Sequence, residues 1–178
     1  MLFKWNRTYA LTAFGGPGEA LELGVKPSLR AAPLLPEGAR VLDVGSGGGF
    51  PSVPLAIARP DLRFVLAEPS RPKAVFLKEV ARTLGLALRV EARTAEEFLA
   101  TAPAPFEAVT VRGVHLRRGL LKRLARALAP GGSLLVWTAG ERAESYRRWC
   151  EEAGLEVRLE RDAGALAFLA AVVPRGTP

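Results

Sequence analysis

The chain has 178 residues, of which 25 are basic and 18 acidic, for a net charge of +7; 49% are hydrophobic and 24% charged. A chain of this length buries roughly 70% of the surface its unfolded form exposes, so no disulfide or metal staple is required. One Cys (Cys150) and one His (His115) exclude an intrachain disulfide and a Cys- or His-cluster metal site. The longest apolar run, Ala165 to Val173, is too short for a bilayer, and Lys4, Asn6 and Arg7 interrupt any leader-like stretch, so a cytoplasmic protein with no membrane partner is expected.

Gly15-Gly16-Pro17-Gly18 sets off an N-terminal arm, residues 1–18, from one main domain, residues 19–178. Residues 19–31 read as a helix broken at Pro27, and Pro33 and Pro36-Glu37-Gly38 turn the chain into a first buried strand, Val41 to Val44. A Gly-rich loop, a short helix over 54–59 and a second strand, Phe64 to Ala67, follow. Leu77, Val80, Ala81 and Leu84 recur at i, i+3, i+4 and i+7, which predicts an amphipathic helix over 72–84 stopped by Gly85. A third strand over 88–92 leads to a helix capped by Thr94, and Ala108 to Val111 forms a fourth strand. Leu116, Leu120, Leu124 and Leu128 make the next helix face, ended by Pro130-Gly131-Gly132 before a fifth strand, Ser133 to Trp137. Tyr146, Trp149, Cys150 and Ala153 mark a last helix face, and strands near 156–160 and 166–173 flank Asp162-Ala163-Gly164 as a closing hairpin. Strands alternating with helices specify an α/β fold with a parallel sheet covered on both faces. The terminal hairpin resembles the methyltransferase variant of the Rossmann-like architecture, a mostly parallel seven-stranded sheet with a C-terminal antiparallel hairpin.

The strongest local signal is Asp43-Val44-Gly45-Ser46-Gly47-Gly48-Gly49-Phe50-Pro51. Its glycines let the backbone turn tightly after a strand and approach a ligand closely, and a helix start near Pro51 turns free N–H groups toward it. Glu68 ends the next strand about twenty residues on, where a carboxylate accepts both hydroxyls of a ribose. The loop by itself serves NAD or S-adenosylmethionine. The methyl donor is favoured because no residues remain for a dehydrogenase's substrate domain, and because Asp43 stands two residues before the first glycine, placed to orient loop amides or an ammonium.

The motifs Lys4-Trp5-Asn6-Arg7-x-Tyr9-x-Leu11-Thr12, Leu42-Asp43-Val44-Gly45-Ser46-Gly47-x-Gly49-Phe50-Pro51-x-x-Pro54-Leu55-Ala56-Ile57 and Arg59-Pro60 stand in this order along the chain. Lys73-x-x-Phe76-Leu77, Leu84-Gly85-Leu86, Arg93 with Glu96, Phe106-Glu107-x-Val109-Thr110-x-Arg112 and Gly131-Gly132 follow. Over about residues 4–140 they resemble the glucose-inhibited division protein B family, the ribosomal RNA small-subunit methyltransferases G. The resemblance implies an S-adenosylmethionine-dependent enzyme that methylates guanine N7 in small-subunit ribosomal RNA, with the RNA or the small ribosomal subunit as partner. It implies that Gly45 and Phe50 lie at the methionine and ribose of the cofactor, that Ala95 and Glu96 lie beside the adenine, and that Arg112 reaches into the cleft. With Gly47 and Glu68 these make the expected cofactor set. The chain departs from the family pattern at several places: Gly24-Val25-Lys26-Pro27-Ser28 replaces a His-x-x-Asp-Ser segment, Arg112-Gly113 an Arg-Ala, Ala139-Gly140 a Lys-Gly and Pro51-Ser52 a Pro-Gly. The N-terminal helical region is also shorter, so the chain reads as a short, divergent member.

Guanine N7 offers an exposed lone pair and needs no general base, and no catalytic residue is assigned. His115 reads as a loop residue and Cys150 as a buried, inert thiol. The stretch Ala108–Gly140 holds no acid but six basic residues, and the first eighteen residues hold Lys4 and Arg7 with no acid. Lys4, Asn6, Arg117, Arg118 and Lys122 are therefore candidate RNA contacts, against the alternative of a solvated basic face. Trp5 and Tyr9 read as packing anchors of the arm more than base-stacking groups. A monomer is expected. Other acceptors, a small molecule or a protein, stay open, as does a cofactor-binding, ribosome-associated module without activity.

Overall fold

The computed structural model describes residues 1–101, 105–161 and 166–175; the Asp162-Ala163-Gly164 turn lies outside them. Seven strands form one sheet in the order β3-β2-β1-β4-β5-β7-β6. They are β1 (Arg40–Val44), β2 (Arg63–Ala67), β3 (Leu88–Glu91), β4 (Phe106–Arg112), β5 (Leu128–Ala139), β6 (Glu156–Arg161) and β7 (Leu166–Val172). The first five run parallel, and β7 enters antiparallel between β5 and β6.

Strand alternation decides what each face receives. In β1, Leu42 and Val44 enter one core with Val109, Val111, Leu134 and Val136, and Val41 enters the other with Phe64, Leu66 and Leu135. Helices α6 (Ala95–Leu99), α7 (Arg118–Arg126) and α8 (Gly140–Glu152) cover the first face through Phe98, Leu121, Leu124, Tyr146 and Cys150. Helices α1 (Leu2–Tyr9), α4 (Ser52–Ala58) and α5 (Arg71–Leu84) cover the second through Leu2, Trp5, Leu55, Phe76, Leu77 and Val80.

Residues 2–9 of the arm form α1, and Trp5 packs on Phe76 with ring centroids 5.7 Å apart, as expected of a packing anchor. Three local expectations change. Pro27 does not break the 19–31 helix: α2 (Pro17–Glu19), a π turn (Ala20–Val25) and α3 (Lys26–Leu29) run on continuously, because the π turn absorbs the proline. Leu128 is the first residue of β5 and not the end of α7, and Pro130-Gly131-Gly132 is an irregularity inside β5: the β4 register jumps from Phe106↔Leu128 to Ala108↔Ser133. Leu84 ends α5 with 51% of its surface exposed, while Phe76 takes the buried position beside Leu77 and Val80.

Candidate functional site

The C-terminal ends of β1, β2 and β3 lie side by side, the place where open parallel sheets hold ligands. At β1 the chain leaves the sheet through Gly45, whose N–H donates to the Ala67 carbonyl at 2.8 Å. Gly45 has φ +66°, and a Cβ there would lie 2.4 Å from the Val114 side chain, so only glycine fits. Gly47, at φ +53°, donates its N–H to Glu68 Oε2 at 2.8 Å. Glu68 Oε1 accepts from the Ser70 N–H at 2.9 Å. The carboxylate thus fixes the loop and the start of α5 together, and each oxygen keeps a second acceptor direction. Beyond β3, Thr94 and Glu97 form a reciprocal cap on α6, with Thr94 Oγ1 accepting from the Glu97 N–H at 3.1 Å and Glu97 Oε2 from the Thr94 N–H at 2.8 Å. That cap places Ala95, which is buried, and Glu96, which is exposed, in the first turn.

Asp43 lies under the loop, fully buried on the α4 side of β1. Thr110 Oγ1 donates to its Oδ1 at 2.7 Å, while Oδ2 and the nearby Ser52 Oγ are both buried and make no hydrogen bond among the described residues. Burial pushes the carboxyl up to about 6, against the pull of the Thr110 hydroxyl.

Arg112, the last residue of β4, faces the helical segment 17–29. Its Nη1 donates to the Gly24 carbonyl at 2.8 Å and Ser28 Oγ at 3.0 Å, and Nη2 donates to the Leu23 carbonyl. Burial pulls the guanidinium below its usual range, and Asp43 opposes this. Phe50 turns the same way: its ring meets Phe14 edge-on at 5.5 Å, and the Arg112 guanidinium lies 5.8 Å from its centroid. Gly24 lets the rings approach, since a Cβ there would lie 2.8 Å from Phe50 and 2.9 Å from Phe14.

The sequence profile of the rRNA small subunit methyltransferase G family matches residues 1–156. The chain belongs to this family. It is 42% identical over 148 residues to the ribosomal RNA small subunit methyltransferase G of Sorangium cellulosum, covering 80% of this chain and 62% of that protein. With the protein of the same name from Xanthomonas axonopodis pv. citri it shares 38% over 136 residues, covering 76% of this chain and 63% of that protein. The chain therefore spans a little under two thirds of the length of these curated relatives. The fold matches a precorrin-6y C5,15-methyltransferase from Geobacter metallireducens with a TM-score of 0.69 at 13% identity, over 83% of this chain and 86% of that one.

In this member of the methyltransferase G family, Gly45, Gly47, Glu68, Ala95 and Glu96 meet at adjacent strand ends, whereas Phe50 and Arg112 engage residues 17–29. The loop suits a nucleoside carrying a charged tail: glycines that let the backbone come close, a strand-end carboxylate with acceptor capacity, and the buried Asp43 carboxyl beneath. The candidate RNA contacts do not form one surface. Lys4 and Asn6 ride on α1, against α5, while Arg117, Arg118 and Lys122 lie at α7 on the opposite face of the sheet. Asn6 Oδ1 accepts from the Thr12 N–H at 2.9 Å and shapes the turn after α1. Arg118 pairs with Glu152 of α8 at 2.6 Å, an acid far outside the acid-free stretch. No group of three possible metal ligands occurs among the described residues. His115 is exposed, and burial pushes the Cys150 thiol up to about 12, so it carries no nucleophile. Sequence reasoning missed the Asp43–Thr110 pair and the bonding of Arg112 and Trp137 to the helical segment. The nearest sequence signal for the latter is Pro27, a proline inside a helical run.

Proposed function

We propose that the protein transfers a methyl group from S-adenosylmethionine to N7 of a guanine in small-subunit ribosomal RNA. The observation that carries this reading is the Glu68 carboxylate bound to the Gly47 N–H, which joins the loop after β1 to the end of β2 in a chain of the methyltransferase G family. Gly45, Gly47 and Glu68 would hold the nucleoside and its tail, with Ala95 and Glu96 beside the base. When bound, the cofactor supplies an electrophilic methyl group on a sulfonium. The protein's own share is orientation and exclusion of water, which suits an acceptor that gives up no proton as it is methylated. Asp43 is sealed from solvent and engaged by Thr110, so it serves the loop and not the acceptor. Exposed Arg117, Lys122, Arg123 and Arg126 offer charge to RNA phosphates.

The test is transfer of labelled methyl to naked small-subunit RNA and to assembled subunits, with mass spectrometric mapping of the product. The expected result is one N7-methylated guanine. Tight cofactor binding without transfer to either substrate would identify a binding module instead, and label in a small molecule or protein would move the acceptor class.

A further inference from the structure

Pro27 sits inside the helical run 17–29. A proline there offers no N–H and crowds the carbonyl four residues back, which is that of Leu23. The chain widens into the Ala20–Val25 π turn, where the Lys26 N–H reaches back five residues to the Leu21 carbonyl. Arg112 Nη2 donates to the Leu23 carbonyl inside this turn, and Nη1 donates to the Gly24 carbonyl and to Ser28 Oγ. A second pin stands beside it: Trp137 Nε1 donates to the Pro27 carbonyl at 2.9 Å. Arg112 and Trp137 are register partners on β4 and β5, so both pins act at the C-terminal end of the sheet.

Apolar attachment of the segment is slight by comparison. Its buried positions, Ala20, Gly24 and Ser28, recur every four residues and carry small side chains. Leu21 and Leu23 are 48% and 52% exposed. Val25 and Leu29 border a cavity of about 360 Å³ shared with α1, α4, α5 and Phe50, and so lack close partners on that side. Hydrogen bonds from two side chains therefore carry much of the attachment, the condition under which a local element opens at low cost.

We propose that residues 17–29 form a movable strap across the ends of β4 and β5, and that Arg112 is a positioning residue that sets its closed position. That the strap walls the acceptor side of the cleft rests on the methyl-transfer reading; the pinning itself does not.

Hydrogen exchange of the full chain, without cofactor or RNA, tests the pinning directly. In Arg112→Ala the amides of residues 20–31 should exchange about tenfold faster, the order expected from losing hydrogen bonds to a charged donor, while those of α5 keep their rates. Trp137→Phe keeps a ring on Phe168, loses the N–H and should accelerate the same amides; it decides the matter if Arg112→Ala does not fold. In transfer assays Arg112→Ala should raise KM for RNA while cofactor Kd stays within about threefold, and Arg112→Lys, which keeps the charge but not the fork, should not rescue KM. Wild-type exchange over residues 20–31 in both Arg112→Ala and Trp137→Phe would overturn the strap, whatever the transfer assays return. Normal exchange in Arg112→Ala with lost cofactor binding would make Arg112 a cofactor ligand.

Discussion

Asp43 and Thr110 meet across β1 and β4 at 2.7 Å, and the other Asp43 oxygen, near the Ser52 hydroxyl, makes no hydrogen bond among the described residues of a fully buried site. The carboxyl is consequently pushed up from 3.8 to about 6, with burial as the main cause. A raised folded value means that the protonated form is the one the fold favours. Its stabilising share is complete below about pH 4 and is lost as pH rises through 6. The gap corresponds to at most about 3 kcal/mol. Asp43→Asn should remove this dependence and fill the orphaned position with an amide donor. Melting temperatures of wild type and variant, compared between pH 4 and 8, should diverge as pH rises, with the variant the more stable. Asp61, which Arg59 holds in the opposite direction, is common to both and cancels in the difference. Parallel curves would show that Asp43 stays neutral or finds a hidden partner.

Gly45→Ala puts a methyl group where Val114 Cγ2 would lie 2.4 Å away, at a residue with φ +66°. The left-handed backbone costs about 1 kcal/mol for a non-glycine residue, and the clash drives Val114 and the loop after β4 outward. Affinity for S-adenosylhomocysteine, read by calorimetry, should fall at least about tenfold. An unchanged affinity would place the ligand away from this loop.

The parallel core and the Gly-rich loop were legible because both rest on local patterns: alternation in short apolar strands, helix faces at i, i+3, i+4, and glycines between a strand and a helix. The place of Glu68 at the end of β2, beside the loop, is legible because its distance from the loop is fixed by one βα unit. The ion pair of Arg118 with Glu152 is not legible in the sequence, because Glu152 approaches it only through the packing of α7 on α8 and no sequence window holds both. Pro27 predicts a broken helix, but the π turn over Ala20–Val25 keeps the run continuous, and Arg112 reaches its carbonyls from the end of β4, which no sequence window holds. Gly131-Gly132 reads equally as a helix stop or a strand irregularity, because glycine serves in both, and only the pairing of β5 with β4 separates the two.

Glu68→Gln tests the carboxylate that joins β2 to the loop. Glu68 accepts from two backbone N–H groups, Gly47 at 2.8 Å and Ser70 at 2.9 Å. A glutamine has one acceptor oxygen, so its amide nitrogen would meet one of those donors head-on. The buried mismatch costs about 1–3 kcal/mol. Cofactor affinity should drop about tenfold or more, and the melting temperature should fall as well. Glu96→Gln, on an exposed side chain in the first turn of α6, should leave the melting temperature unchanged, so a comparison of the two separates loop architecture from ligand contact.

The basic face of α7 yields a prediction in which geometry changes the choice of residues. Arg118 is engaged by Glu152, whereas Arg117, Lys122 and Arg123 are exposed and make no ion pair among the described residues. Each phosphate contact releases counterions, so RNA affinity falls with salt at a slope of nearly one per contact. Replacing Arg117, Lys122 and Arg123 together with alanine should flatten the slope by about two to three and weaken binding at low salt, with cofactor affinity unchanged. Arg118→Ala should change the slope by less than about one half, because its charge is already partly neutralised, and an exposed pair contributes little stability. Titrations of RNA at several salt concentrations distinguish the cases. A triple variant with the wild-type slope would mean that RNA docks elsewhere, with Lys4 and Arg7 on the opposite face of the sheet as the next basic group to test.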